Sequence, residues 1–293
     1  MKKTALLLFL FLPFLAAFGQ FEPTLTQTRF NRLTVNPAYA GTDGKYEFNG
    51  QYKLVDNGLS GAPNTAAFNF NMPTAKLHGG IGTQFLYDKI GNFETYEGAL
   101  NYAYHINLPK GLLSFGLKTG IIINRADGFW QSTDPAAIDP LIQGQETVIA
   151  FNNGLGAYYR TNKLYAGISV NHLTDLKIKD SELAEEILFD FDPYYYGIFG
   201  YKWNINPIIA LEPNTTIRYT QDFWTADIIA NLHIKSLVWF GAGFRKDDAI
   251  LLLAGVDAGR FKVGYSYDYY QSLSSLSSRG AHEFLVTVAL DKK

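Results

Sequence analysis

The joints between strand-like segments constrain this chain more than any other feature. Beyond residue 44 the sequence breaks into short runs in which apolar and polar residues alternate. Every second joint is tight, at 73–76, 107–111, 160–163, 204–207, 233–236 and 257–260. The joints between those include the three longest, at 125–146, 173–193 and 271–281, beside two short ones at 221–224 and 246–249. Antiparallel strands with short turns on one side and longer loops on the other are the pattern of a bacterial outer-membrane β-barrel. The expected fold is therefore all-β, a transmembrane antiparallel barrel.

Fourteen strand candidates follow, at 45–55, 65–72, 79–88, 94–106, 112–124, 147–159, 164–172, 194–203, 208–220, 225–232, 237–245, 250–256, 261–270 and 282–290. The alternation is clearest near the end of the chain. Phe261, Val263, Tyr265, Tyr267 and Tyr269 share one face of a strand, and Lys262, Gly264, Ser266 and Asp268 share the other. In a membrane barrel the apolar face meets lipid and the other face lines the lumen. Aromatics at 15%, with 19 Tyr and 22 Phe, suit the girdles of such a barrel. No later stretch reaches eighteen continuous apolar residues, which argues against spanning helices.

Residues 1–19 read as a secretory signal peptide. Lys2 and Lys3 supply the positive start, the run from Ala5 to Phe18 the apolar core, and Ala17-Phe18-Gly19 a cleavage site ahead of Gln20. Residues 20–44, rich in Thr, Asn, Gly and Pro, read as a periplasmic lead-in, and residues 45–293 as the barrel. An even strand number with both ends on the short-turn side puts both termini in the periplasm. The location is the outer membrane of a Gram-negative bacterium, in contact with its lipid. The chain has no Cys, which excludes disulfides, thiolate metal sites and lipoprotein anchoring at the cleavage site. A net charge of -2 and the lack of a basic arm argue against nucleic acid.

Four stretches carry a family resemblance. They are Asn36-Pro37-Ala38-Tyr39-Ala40-Gly41, Trp239-Phe240-Gly241-Ala242-Gly243-Phe244-Arg245, Gly264-Tyr265-Ser266-Tyr267-Asp268-Tyr269 and Gly280-Ala281-His282-Glu283. In this order and spacing the chain resembles the PorP/SprF family of outer-membrane proteins of type IX secretion and gliding motility. The resemblance implies a membrane barrel distantly similar to long-chain fatty-acid channels. It also implies partners among the secretion components and the C-terminal domains of secreted cargo.

Chemistry finds little footing. The five His are scattered without metal-ligand spacing, and Gly154-Leu155-Gly156 and Gly241-Ala242-Gly243 lack the third glycine of a nucleotide loop. No catalytic residue, cofactor or metal is expected. Asp134 and Asp139, each followed by Pro, read as turn starters in the long joint at 125–146 rather than as Ca²⁺ ligands, and Trp130 in that joint is a candidate anchor for a partner. By parity Arg245, Asp268 and Glu283 point into the lumen near the loop ends of their strands. Lys53 does the same on the first strand, which must pair with the last to close the barrel. These four are expected to form a charge network across the closing seam, which admits two readings: a structural one, since buried charges need partners, or contact with a plug or a cargo segment. Residues 36–41, with Asn36, Pro37, Ala38 and Gly41, admit two readings: a fixed turn before the first strand, or a periplasmic docking epitope. Two functions stand side by side: a non-enzymatic barrel that binds or anchors exported proteins, and a channel for small or hydrophobic solutes.

Overall fold

The computed structural model describes residues 23–56, 61–126, 146–173, 178–179, 187–189, 192–221, 223–271 and 280–291. Fourteen long strands form the wall. They are β1 (Lys45–Asp56), β2 (Asn64–Thr74), β3 (Gly79–Ile90), β4 (Phe93–Leu108), β5 (Gly111–Ala126), β6 (Glu146–Arg160) and β7 (Leu164–Asn171). The second half holds β8 (Tyr194–Tyr201), β9 (Ile209–Tyr219), β10 (Trp224–Ile234), β11 (Val238–Arg245), β12 (Ala249–Asp257), β13 (Phe261–Tyr270) and β14 (Gly280–Asp291). Each pairs antiparallel with its neighbour in sequence, and β1 pairs with β14 in a register that sets Lys53 opposite Glu283. The sheet is closed, so no strand edge is left to aggregate. A two-residue piece, Trp203–Asn204, prolongs the β8 side of the β9 pairing, and Ile178–Lys179 pairs with Ile187–Phe189 in a separate ribbon.

The wall is inverted relative to a soluble protein. Phe115, Leu117, Ile168, Phe240 and Phe261 face outward and are more than half exposed or close to it. The inward positions carry Asn49, Asn69, Asn101, Asn152, Asn171 and Asn231, all buried. Outward apolar side chains of this kind are at home only against hydrocarbon.

The lumen is not empty. Residues 23–44 run down its axis as three short 3-10 turns, Thr28–Phe30, Arg32–Thr34 and Pro37–Tyr39. Leu25, Gln27, Asn31, Leu33, Val35, Asn36, Ala38 and Ala40 are buried there. This corrects the reading of 20–44 as a periplasmic lead-in: its described part is an internal plug. A fourteen-strand wall is wider than its own side chains fill, and a polar wall accepts a Thr- and Asn-rich segment that composition alone assigns to water.

The direction of the plug matters for the termini. It begins beside Lys53 and Arg218, at the end with the long joints, where Lys53 Nζ and Arg218 Nη2 donate to the carbonyls of Thr24 and Leu25. It ends at Gly44, at the opposite end, where β1 starts. Asp291 closes β14 opposite Lys45 at that same short-turn end. The described chain therefore begins and ends at opposite ends of the barrel, with Thr24 at the long-joint end and Asp291 at the short-turn end.

Candidate functional site: the plugged lumen

At the long-joint end the plug is held by charge. Glu283 accepts hydrogen bonds from the backbone N–H groups of Thr26 and Gln27 at 2.7 and 2.9 Å. Asp268 accepts from Thr26 Oγ1 at 2.7 Å and pairs with Lys53 at 2.7 Å and Arg245 at 3.2 Å. Lys53, Arg245, Asp268 and Glu283 are thus brought together at the seam, each almost wholly buried. Glu283 serves the plug backbone and Gln51 rather than its cross-strand neighbour Lys53. Two further residues belong to the cluster. Asp227 bridges Arg245 at 2.8 Å and Arg218 at 3.1 Å. Parity puts Arg218 on β9 and Asp227 on β10 in the lumen, but joining them to Arg245 takes the lateral order of β9, β10 and β11. Three buried cations face three buried carboxylates here, and the partly exposed Asp248 adds a fourth carboxylate 3.4 Å from Arg245; such pairing is the condition for burying charge at all.

Lower down, the contacts turn to amides and rings. Arg29 pairs with Glu212, Thr28 meets Thr216 at 3.1 Å, and Phe30 packs on Trp239 with centroids 4.7 Å apart. Asn31 donates to Gln51 at 2.6 Å and accepts from Asn69 at 2.6 Å. Gln84 and Ser169 donate to the carbonyls of Leu33 and Val35.

The segment 36–41 anchors the bottom of the plug. Asn36 caps the 3-10 turn by accepting from Ala38 N at 2.9 Å, and its Nδ2 donates to the carbonyls of Ala157 and Ile168, one on each side of the β6–β7 ladder. Ala38 lies so close to the wall that a Cβ on Gly116 would stand 2.2 Å from its nitrogen. Gly41, at φ +68°, gives its N–H to Asn71 at 3.1 Å. Asn36, Pro37, Ala38, Tyr39, Ala40 and Gly41 are all buried, so this stretch is not an exposed epitope; the turn expected before β1 is a latch against the lumen wall. Asp43 then pairs with Arg160 and accepts from Tyr39 at 2.7 Å. Burial pushes the Asp43 carboxyl up, and Arg160 and Arg32 outweigh it, holding the group below the usual carboxylate range.

Trp130, Asp134 and Asp139 lie outside the described residues, as does most of the segment 180–187. Among the described residues no group of three or more His, Asp or Glu side chains is placed to hold a metal.

The family model for type IX secretion system membrane proteins PorP/SprF matches residues 17–288, which takes in the plug as well as the wall. The chain belongs to the PorP/SprF family. It is a barrel of the outer membrane. No curated protein matches it. Among solved structures, this PorP/SprF barrel is similar to the monoaromatic hydrocarbon channel TodX in a deltaS2S3 mutant, at 10% identity over 89% of this chain and 94% of that one, TM-score 0.53. It is also similar to the monoaromatic hydrocarbon channel CymD, at 13% identity over 88% and 91%, TM-score 0.52. At these identities the likeness shows the fold alone. Of the four family stretches, the first forms the latch, and the other three contribute Trp239, Arg245, Asp268 and Glu283 to the wall around the plug.

Proposed function

We propose that this PorP/SprF barrel is a non-enzymatic docking component of type IX secretion, which binds or anchors exported proteins, such as cell-surface adhesins, through their C-terminal domains. The observation that carries the reading is the plug. A lumen occupied by the chain's own segment, tied to the wall from Thr24 to Asp43, favours a rigid body that presents surfaces over an open conduit. With the long joints outside, the barrel offers loops to the cell surface and the short-turn mouth to the periplasm. The test is affinity purification of a tagged copy from native outer membranes in mild detergent, with mass spectrometry of what accompanies it. Enrichment of a large secreted protein or of secretion components is the expected result; a barrel that comes out alone in several detergents sinks the docking role.

The same orientation has a consequence for the chain ends. Thr24, near the start of the described chain, lies beside Lys53 at the long-joint end, which this orientation puts outside, and Asp291 lies at the short-turn end, which it puts in the periplasm. An epitope tag placed just before Phe21 is expected to bind antibody on intact cells, and a tag after Lys293 only on permeabilised ones. Equal labelling of both on intact cells, or of neither, contradicts this arrangement.

A channel for small or hydrophobic solutes is the second reading. It draws support from TodX and CymD being hydrocarbon channels, and it requires the plug to move.

A further inference from the structure

The ring closes through every neighbouring pair of strands, yet one strand overhangs its neighbour. β5 pairs along the whole of β6, up to Ala126 opposite Glu146. β7 pairs with β6 only from Arg160, opposite Tyr165, to Leu155, opposite Val170. The difference is one of length, 15 residues in β6 against 8 in β7. Two further bonds reach a little higher, from Leu173 N to the Asn153 carbonyl at 3.0 Å and from His172 N to Asn152 Oδ1 at 3.3 Å. From Thr147 to Phe151 the β7 side of β6 meets no hydrogen-bonding partner among the described residues. Closure removes the edges along the ring of pairs but not this overhang at the long-joint end.

The phase of the edge follows from its last bond. In an antiparallel strand the N–H and C=O of one residue point to the same side, and the side alternates along the chain. Asn153 gives its carbonyl to Leu173, so the N–H and C=O groups of Phe151, Ile149 and Thr147 point out of the open edge. The side chains around them are apolar on both faces. Ile149 and Phe151 face outward, 64% and 65% exposed, with no strand beside them to cover their flank. Val148 and Ala150 face inward and pack with Ile122 and Ala126, where the lumen below is lined by the amides of Asn152, Asn101 and Asn171. A strand apolar on both faces has the pattern of one buried inside a sheet. The outward positions that continue the row from Thr147 are Arg125, Glu94 and Lys89, so the top of the overhang stands where charge is tolerated, at the outer surface of the membrane. The chain's own outer ribbon does not cover the edge: Ile178–Lys179 pairs with Ile187–Phe189 and with no other strand.

We propose that the β6 edge from Thr147 to Asn152 takes up an extended segment of a secreted polypeptide as one more strand. Strand addition matches what is free. The segment's backbone meets the N–H and C=O groups of Thr147, Ile149 and Phe151, and its apolar side chains continue the patch on each face. Residues 147–152 make a seat about 20 Å long. The inference rests on the docking reading for the owner of the segment, and on the edge alone for its conformation.

The test uses the full chain, purified in detergent, and the anisotropy of a fluorescein-labelled peptide amide with valine and threonine alternating between two lysines. A second peptide has the same sequence with a methyl group on each backbone nitrogen between the lysines, which keeps the side chains and removes the donors. The plain peptide is expected to bind, and the methylated one at least about tenfold more weakly, since strand addition draws its affinity from main-chain hydrogen bonds. Ile149→Pro removes one edge donor at a place where no strand pairs, and is expected to weaken the plain peptide by about tenfold; Ile149→Ala keeps the N–H and is expected to weaken it less. Heat-modifiable mobility on gels reports folding of both variants. Equal binding of the two peptides, binding of neither, or full-strength binding by Ile149→Pro overturns the proposal. So does binding that appears only after residues 180–186 are deleted, which assigns the edge to the chain's own joint, or pairing of barrels that Ile149→Pro abolishes without any peptide binding, which assigns it to a second copy. In native outer membranes, proteins that accompany the wild-type barrel are expected to be lost from Ile149→Pro. Partners kept by that variant leave docking standing and overturn this edge as its seat. A barrel that binds the plain peptide yet purifies alone leaves strand addition standing and removes the docking role.

Discussion

Deleting residues 24–41 is expected to turn a silent barrel into a conducting one. Reconstituted into planar bilayers, the full chain shows no steady conductance, and the deletion variant shows discrete ion-conducting steps. The reasoning starts from the wall. Fourteen strands enclose more space than inward side chains occupy, and the inward side chains here are Asn, Thr, Lys and Glu, which water wets readily. With the plug removed, nothing apolar takes its place. The plug also leaves wall atoms unsatisfied: both ends of the Asn101 and Asn171 amides and the hydroxyl of Ser114 are buried without partners. Hydration of those groups lowers the cost of an open lumen, at about 1–3 kcal/mol for each such group. A complementary variant closes the argument. The chain has no Cys, so a T28C/T216C pair, at positions whose hydroxyls stand 3.1 Å apart, staples the plug to β9. The stapled barrel is expected to stay silent until reduced. Equal conductance in full-length and deleted forms sinks the view of residues 24–41 as the element that closes the pore, and with it the observation that favours docking.

The second large effect concerns Asp268. Its carboxylate is wholly buried and meets Lys53, Arg245 and Thr26 at once. Asp268→Ala leaves buried Lys53 without a carboxylate and removes one of those that meet Arg245, which keeps Asp227, and breaking a buried pair in this way costs about 3–5 kcal/mol. In urea unfolding from lipid vesicles the variant is expected to lose that much, and Asp268→Asn, which keeps the shape and an acceptor, to lose less. The contrast is Asp291. It pairs with Lys45 at 3.2 Å on the exposed rim, and Asp291→Asn is expected to change stability by no more than about 1 kcal/mol. The two pairs differ in burial rather than in distance. If both substitutions prove equally mild, the seam cluster is solvated and the plug is not held by charge.

The wall was legible in the sequence because its determinants are local. Alternation along each run names the strand, Gly and Pro-rich breaks name the turns, and parity says which side chains face inward. Phe261 and Asp268 were assigned to opposite faces on that basis alone, and they lie on opposite faces. Parity also carried Lys53, Arg245, Asp268 and Glu283 to one place, because closing a barrel forces the first strand onto the last. It stopped short of Arg218 and Asp227, which need the lateral order of β9, β10 and β11 rather than the phase of one strand.

A plug against the seam charges was one of two readings, but that residues 23–44 supply it was not legible, and the cause is physical. Thr26, Gln27, Asn31 and Asn36 are residues that local rules send to water, and no periodicity marks them. Their burial is stabilised by groups as much as 257 residues away in the chain, such as Glu283 for Thr26. A polar lumen inverts the ordinary sign of burial for a polar segment, and that lumen exists only once the sheet has closed. The sequence by itself determined the strands, their faces and the charges of the seam, since each follows from neighbours two residues apart. Only the tertiary structure decided that the first twenty or so described residues fill the barrel, and that the described chain begins and ends at opposite mouths, because both depend on a lumen that forms when the first strand meets the last.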